Sequence, residues 1–498
     1  MNSSLLRRLP TRVWLVLLSL LAFGWRMAGL TSQSLWRDEV DALQFASRSW
    51  PDLLANFAKP GENGPLFFAL LHPWLQAVGT SDYALRMQAA AGGIITVVLT
   101  WVLARRLLRL AAPDLPTTPS TATIPLLAAL LVAVNPYLTW YSQEAKMYGW
   151  LPALVLLTLL AFLAALQRGQ WHRWLLYLLL LGVTVLHHIW AVLLIPLCLS
   201  WLFWLWPDTR RRLLPFALTL AAPLFPYVAL VGWWQWRLFT TADFQTGHPF
   251  VPLRQIATNL ATAITIGVRG GPSLLPIALL IFLWLIASLL GRQALPAPNK
   301  AGRVLGMLWT WLLLPPLLIF LVSLRKPLFT DRYLIWIVPA ALLLAVWGMI
   351  MLTRLWRPLG AAMVLLVVVF SLLQGWQQMH TPIKSDFRAA AAFVEAQREP
   401  EDVLLFQIPY NRAVYAYYAG TTAHTVDGRY TNNGISPTQV DQEMTALLAH
   451  TSTVWLIASE EAMWDSRGLT RAWLDAHGHS TERRDFARVE VVRYTFGP

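Results

Sequence analysis

Asp38 and Glu39 stand side by side in Leu35-Trp36-Arg37-Asp38-Glu39-Val40-Asp41, just after the first long apolar segment of the chain. Carboxylates at the mouth of a membrane helix are costly to desolvate, so they tend to be kept where they have a task. An ionised carboxylate in that place can take a proton from an acceptor hydroxyl or amine. The competing reading is the solvated start of a loop, where charges contribute little. The pair alone leaves both readings open.

Further residues of suitable type follow. Glu62 and Asn63 precede the apolar stretch 65–79. Glu144, Lys146 and Tyr148 lie in Tyr141-Ser142-Gln143-Glu144-Ala145-Lys146-Met147-Tyr148. His187 and His188 close an apolar run, and Arg325, Lys326, Asp331, Arg332 and Tyr333 fall between two later ones. Arg and Lys at membrane level can clamp a phosphate and stabilise its charge as it leaves. With a carboxylate nearby, that combination suits group transfer from a lipid-linked phosphate whose tail lies among the helices. Each residue has a plainer reading. Lys146 and Arg332 can be interfacial anchors, and Arg26 is expected to snorkel to the outer headgroups. His187-His188 reads as a hydrogen-bonding pair, as polar filler, or as ligands for a divalent metal with Glu39 or Glu144, although neighbouring helical residues diverge by about 100°. Trp233-Trp234-Gln235-Trp236 reads as an interface belt, and Tyr417-Tyr418 as core.

The elements that position these residues belong to a polytopic α-helical membrane protein. Hydrophobic residues make up 56% of the chain and charged residues 13%, which favours lipid burial over a soluble surface. Spans are expected near 13–30, 85–104, 122–139, 149–167, 173–188, 190–206, 213–234, 273–290, 304–323, 333–352 and 358–376, about eleven in all. The net charge of +13 sits in short clusters at every second connection, such as Arg105/Arg106/Arg109, Arg210/Arg211/Arg212 and Arg354/Arg357. That pattern reports topology and speaks against nucleic acid. It sets the N-terminus in the cytoplasm of a plasma-membrane protein, with Arg7, Arg8 and Arg12 before a retained anchor. The stretch 65–79 is short for a span, and crossing there would move every later basic cluster outside. It is read as a helix in the outer interface, with His72 and Trp74 at headgroup level. The candidate residues then gather on the outer face.

A composition change divides the chain into a membrane domain, 1–379, with its first outer loop at 31–84, and an extracytoplasmic domain, 380–498. In the latter, 403–407, 453–459 and 489–496 read as strands and 387–397 and 437–450 as helices, giving a small α/β domain. The single Cys198 excludes an intrachain disulfide and a cysteine metal site. The chain lacks the P-loop, dinucleotide and HExxH patterns, so ATP-driven transport and zincin chemistry find no support.

Four stretches carry a resemblance. Ser34-Leu35-Trp36-Arg37-Asp38-Glu39, Asn63-Gly64-Pro65 through Trp74, Asn135-Pro136-Tyr137 with the 141–148 motif, and Asp331-Arg332-Tyr333-Leu334 together resemble the GT-C glycosyltransferases. The resemblance is to the bacterial family-39-like group related to protein O-mannosyltransferases and to lipid A aminoarabinose transferase. It implies a polyprenyl-phosphate-linked sugar donor and an inverting transfer, on the outer side, to a lipid, polysaccharide or protein. It implies Asp38 as base with Glu39 in support. Lys146, Tyr148, Arg332 and Tyr333 would hold the donor phosphate, and Glu144 would orient Lys146 or the sugar. Glu62, Asn63, His187, His188 and Lys326 form a possible extension of that site. Two departures stand out: Asn63-Gly64-Pro65 replaces the His-Pro-Pro or Glu-Lys-Pro of many relatives, and Lys146 replaces an Arg, keeping the charge but losing bidentate contact. The alternative is a transporter or flippase of an anionic or lipid-linked substrate, which calls for midplane charges and a pseudo-repeat; the sequence has neither.

Overall fold

The computed structural model describes residues 10–58, 63–113, 119–206, 208–221, 249–292, 297–420 and 424–497, with five isolated positions between 232 and 240. The chain forms two compact units. One comprises Met1–Leu30 and Phe45–Gln378, the other Thr31–Gln44 and Met379–Pro498.

The first unit is a polytopic bundle of apolar helices. Six are long and apolar enough to cross a bilayer: Thr11–Ala28, Asp82–Ala111, Met147–Arg168, Pro298–Ser323, Asp331–Leu355 and Arg357–His380. A seventh crossing arises if Ala122–Val134 and Pro136–Ser142, bent by 57° at their junction, form one span. Pro65–Val78, Ile189–Trp204 and Leu274–Leu290 are shorter. The expected count of about eleven is therefore not reached among the described residues on length and apolarity. Half of the expected span 213–234 lies outside them.

Local chemistry sets the ends and breaks. Pro136 cannot donate into a continuing helix, and Asn135 starts a new one by accepting from Leu138 N at 3.0 Å. The Asn135 amide also donates to Ile264 O at 2.9 Å. Ser81 caps the helix Asp82–Ala111 by accepting from Ala84 N at 3.2 Å. Small residues let that helix approach its neighbours closely: a Cβ on Gly92 would lie 2.7 Å from Gly149 O, and one on Gly93 would lie 2.6 Å from Arg26 Nε. This explains a correction. Arg26 does not snorkel outward; it is fully buried, and its guanidinium donates to Ala133 O at 3.0 Å. The space left by Gly93 makes an inward rotamer possible.

The second unit contains a five-stranded sheet. Its strands are β1 (Val403–Phe406), β2 (Thr425–Asp427), β3 (Thr453–Ala458), β4 (His479–Phe486) and β5 (Val489–Thr495), in the order β2-β1-β3-β5-β4. β1 is parallel to β2 and β3, and β5 is antiparallel to β3 and β4. The helices Pro437–Leu447 and Leu469–His477 contribute Met444, Trp473 and Leu474 to a core with Leu405, Val454, Leu456 and Val492. Trp455 satisfies its buried indole N–H on Asp402 Oδ2 at 2.8 Å. The expected strands at 403–407, 453–459 and 489–496 and helices at 387–397 and 437–450 correspond to β1, β3, β5, Phe387–Glu395 and Pro437–Leu447. The segment 31–44, grouped with the membrane region by sequence, belongs to this unit.

Candidate active site

In the first unit, three stretches distant in sequence meet. The break at Asn135 lets the helix Pro136–Ser142 lead into the segment that bears Glu144, Lys146 and Tyr148. A tight turn follows, with Lys146 N donating to Glu144 O at 2.7 Å. The helix Trp171–His187 ends against this segment, His187 Nε2 lying 2.9 Å from Met147 O. The next residue, His188, leaves the helix in extended backbone at φ −155°. Its ring is fully buried, with centroids 5.7 Å from Tyr148 and 5.3 Å from Tyr333. Neither ring nitrogen of His188 has a hydrogen-bond partner among the described residues. The Arg332 guanidinium carbon stands 5.5 Å from the Tyr148 ring centre, within cation–π range. Tyr141 packs edge-on to Tyr148 at 5.4 Å, and the charges of Asp331, Glu144 and Arg332 all bear on it. Lys146 is half-buried with Nζ 5.9 Å from the Phe68 ring centre.

The turn before the helix Pro65–Val78 closes this cluster. Asn63 Oδ1 accepts from Ile189 N at 2.9 Å. Gly64 adopts φ +82°, and a Cβ there would lie 2.5 Å from the His187 carbonyl oxygen. Gly64→Ala is therefore expected to cost about 2 kcal/mol or more. The check is the thermal unfolding midpoint in detergent, which should fall; an unchanged midpoint would mean that the turn relaxes freely.

In the second unit, Asp38 and Glu39 occupy the first turn of the helix Arg37–Ala46, where the helix dipole favours negative charge. Their surroundings differ. Asp38 is partly accessible, with Arg37 Nε 3.8 Å away. Glu39 is fully buried and pairs with Lys384 Nζ at 2.8 Å.

Tyr148, Arg332, Tyr333, His187, His188 and Asn63 thus come together in one unit with the 144–146 turn, while Asp38 and Glu39 belong to the other. Lys326 lies in the turn after Pro298–Ser323, its N–H donating to Val322 O at 3.2 Å. Glu62 lies outside the described residues. Among the described residues no group of three or more His, Cys, Asp or Glu side chains is set to hold a metal. Sequence reasoning passed over Lys384, a lone cation after the last apolar run that only its buried partner reveals.

No family model matches the chain, and no curated protein does. Solved structures do. ArnT from Cupriavidus metallidurans bound to undecaprenyl phosphate aligns over 96% of this chain and 98% of its own, with a TM-score of 0.56 at 14% identity. Its apo state gives 0.58 at 13% identity over 97% and 98%. The oligosaccharyltransferase AglB from Archaeoglobus fulgidus, in complex with an inhibitory peptide and a dolichol-phosphate, gives 0.55 at 11% identity over 98% of this chain and 74% of that one. The fold is GT-C. At these identities the likeness speaks for the GT-C fold alone.

Proposed function

We propose that this protein is an integral-membrane glycosyltransferase that moves a sugar from a polyprenyl-phosphate donor to an acceptor at the outer face of the membrane. The observation that carries the reading is the nearly end-to-end GT-C likeness to a structure holding undecaprenyl phosphate. The Arg332–Tyr148–His188–Tyr333 cluster supports it, because it places a half-buried cation and Tyr333 beside the buried Tyr148 and His188, groups able to contact an oxyanion. Asp38 accepts the proton of the acceptor hydroxyl or amine as that atom attacks the anomeric carbon. The bond from that carbon to the phosphate oxygen breaks, and its electron pair leaves with the polyprenyl phosphate. Attack from the opposite face inverts the configuration. Arg332 and Lys146, with the Tyr148 and Tyr333 side chains, hold the phosphate and offset its growing charge. Glu144 orients Lys146 or the sugar. The acceptor is a lipid, a polysaccharide or a protein.

A lipid-donor assay tests this reading. Purified full-length protein in detergent or nanodiscs is offered a panel of polyprenyl-phosphate sugars with candidate acceptors and divalent metals, and free polyprenyl phosphate is followed. Release with transfer of the sugar is the expected result. Folded protein that releases none from any donor would overturn it.

A further inference from the structure

Burying a carboxylate and an ammonium carries a large desolvation cost for each ion, and apolar residues of like volume often serve stability as well. The fully buried Glu39 and the nearly buried Lys384 therefore need a reason beyond stability. Their surroundings supply one. Gln33 accepts from Ile383 N at 3.0 Å and Lys384 N at 3.3 Å, and donates to Thr381 O at 2.9 Å. Leu35 N donates to the Tyr418 hydroxyl at 2.7 Å. Arg388 donates to Thr31 O at 3.2 Å and to Gln33 O at 3.3 Å, while its own N–H reaches Ser34 Oγ at 3.3 Å. The Arg37 guanidinium lies 4.5 Å from the Tyr410 ring centre. The segment before Asp38 is thus held through backbone groups at 31, 33 and 35 and through the Gln33 and Ser34 side chains, and the residue after it is pinned by Lys384. Asp38 itself stays partly accessible.

We infer that the Glu39–Lys384 ion pair is the positioning device for Asp38, so that residues 379–498 form a working part of the base site rather than a separate appendage. This rests on Asp38 being the base. Glu39 and Lys384 act through Asp38 and touch no substrate. They fix the azimuth of the first helical turn, and so the direction in which the Asp38 carboxylate points.

The test uses full-length protein in the donor assay, with Asp38→Asn, Lys384→Met, Lys384→Arg and the double variant Glu39→Leu/Lys384→Met. A displacement of about 1 Å at a reacting group costs on the order of 100-fold, and that loss is expected in kcat for Lys384→Met and the double variant. The donor KM should stay within about twofold, since the pair holds no phosphate. The double variant leaves no lone buried charge, so its unfolding midpoint should match wild type. Lys384→Arg keeps the tie and should recover at least about tenfold over Lys384→Met. If Lys384→Met does not fold, the double variant decides. A folded double variant with wild-type kcat overturns the inference, as does a Lys384→Arg variant no faster than Lys384→Met. A double variant that cannot fold also overturns it, because the pair would then serve folding alone. Asp38→Asn turning over at the wild-type rate would remove the base assignment itself, a result separable from any of these.

Discussion

Asp38→Asn is expected to lower kcat for a polyprenyl-phosphate sugar by about 10³-fold, within the range for loss of a general base. The substitution is nearly isosteric and keeps one acceptor oxygen, but it removes the basic site. Little else should change. Asp38 is partly accessible, and Arg37, 3.8 Å away, is itself a third exposed, so that interaction contributes little to stability. The neighbouring Glu39–Lys384 pair stays intact. The unfolding midpoint and donor KM should therefore hold while turnover collapses. Steady-state kinetics with a thermal melt on the same sample checks both halves. A variant retaining more than about a tenth of wild-type kcat would take Asp38 out of proton transfer.

Arg332→Met is expected to cut kcat/KM for the donor by about 10³-fold, with Arg332→Lys between it and wild type. The reason lies in the cluster: the guanidinium lies over Tyr148, and the rings of Tyr148 and Tyr333 both pack against the fully buried His188 and lie 6.5 Å from one another. Phosphate held there would meet a planar, bidentate donor, which Met lacks and Lys supplies only as a point charge. A second readout needs no turnover. Binding of polyprenyl phosphate alone should raise the melting temperature of wild type, because a ligand that prefers the folded state stabilises it by mass action. The same addition should leave Arg332→Met unmoved. Equal shifts in both proteins would show that the phosphate binds elsewhere.

The sequence made some of this legible and hid the rest for identifiable reasons. The long spans announce themselves through uninterrupted apolar runs, and β1, β3 and β5 through short apolar stretches between turns. β4 escapes because it is an edge strand whose residues, His479 to Phe486, are mostly exposed and polar. β2 escapes because it has three residues. Arg26 looked like an anchor because composition cannot show that Gly93 opens a space for it. The motifs at 63–65, 141–148, 187–188 and 331–333 were each visible, but their meeting depends on the break at Asn135 and on His188 leaving its helix. The tie from Glu39 to Lys384 spans 345 positions, and no local pattern reports a contact of that range.

That span carries a consequence for biogenesis. The helix Arg37–Ala46 emerges early in synthesis, directly after the first membrane crossing. It cannot be fastened until residues 381–418, which hold Gln33, Leu35, Glu39 and Arg37, have been translated. Throughout insertion of the intervening helices, the acidic turn is unfastened. A nascent chain, or one truncated after His380, would have its apolar spans complete and the 37–46 helix without these ties. Under the proposed glycosyl transfer, such timing would keep a half-made protein from consuming a costly lipid-linked sugar.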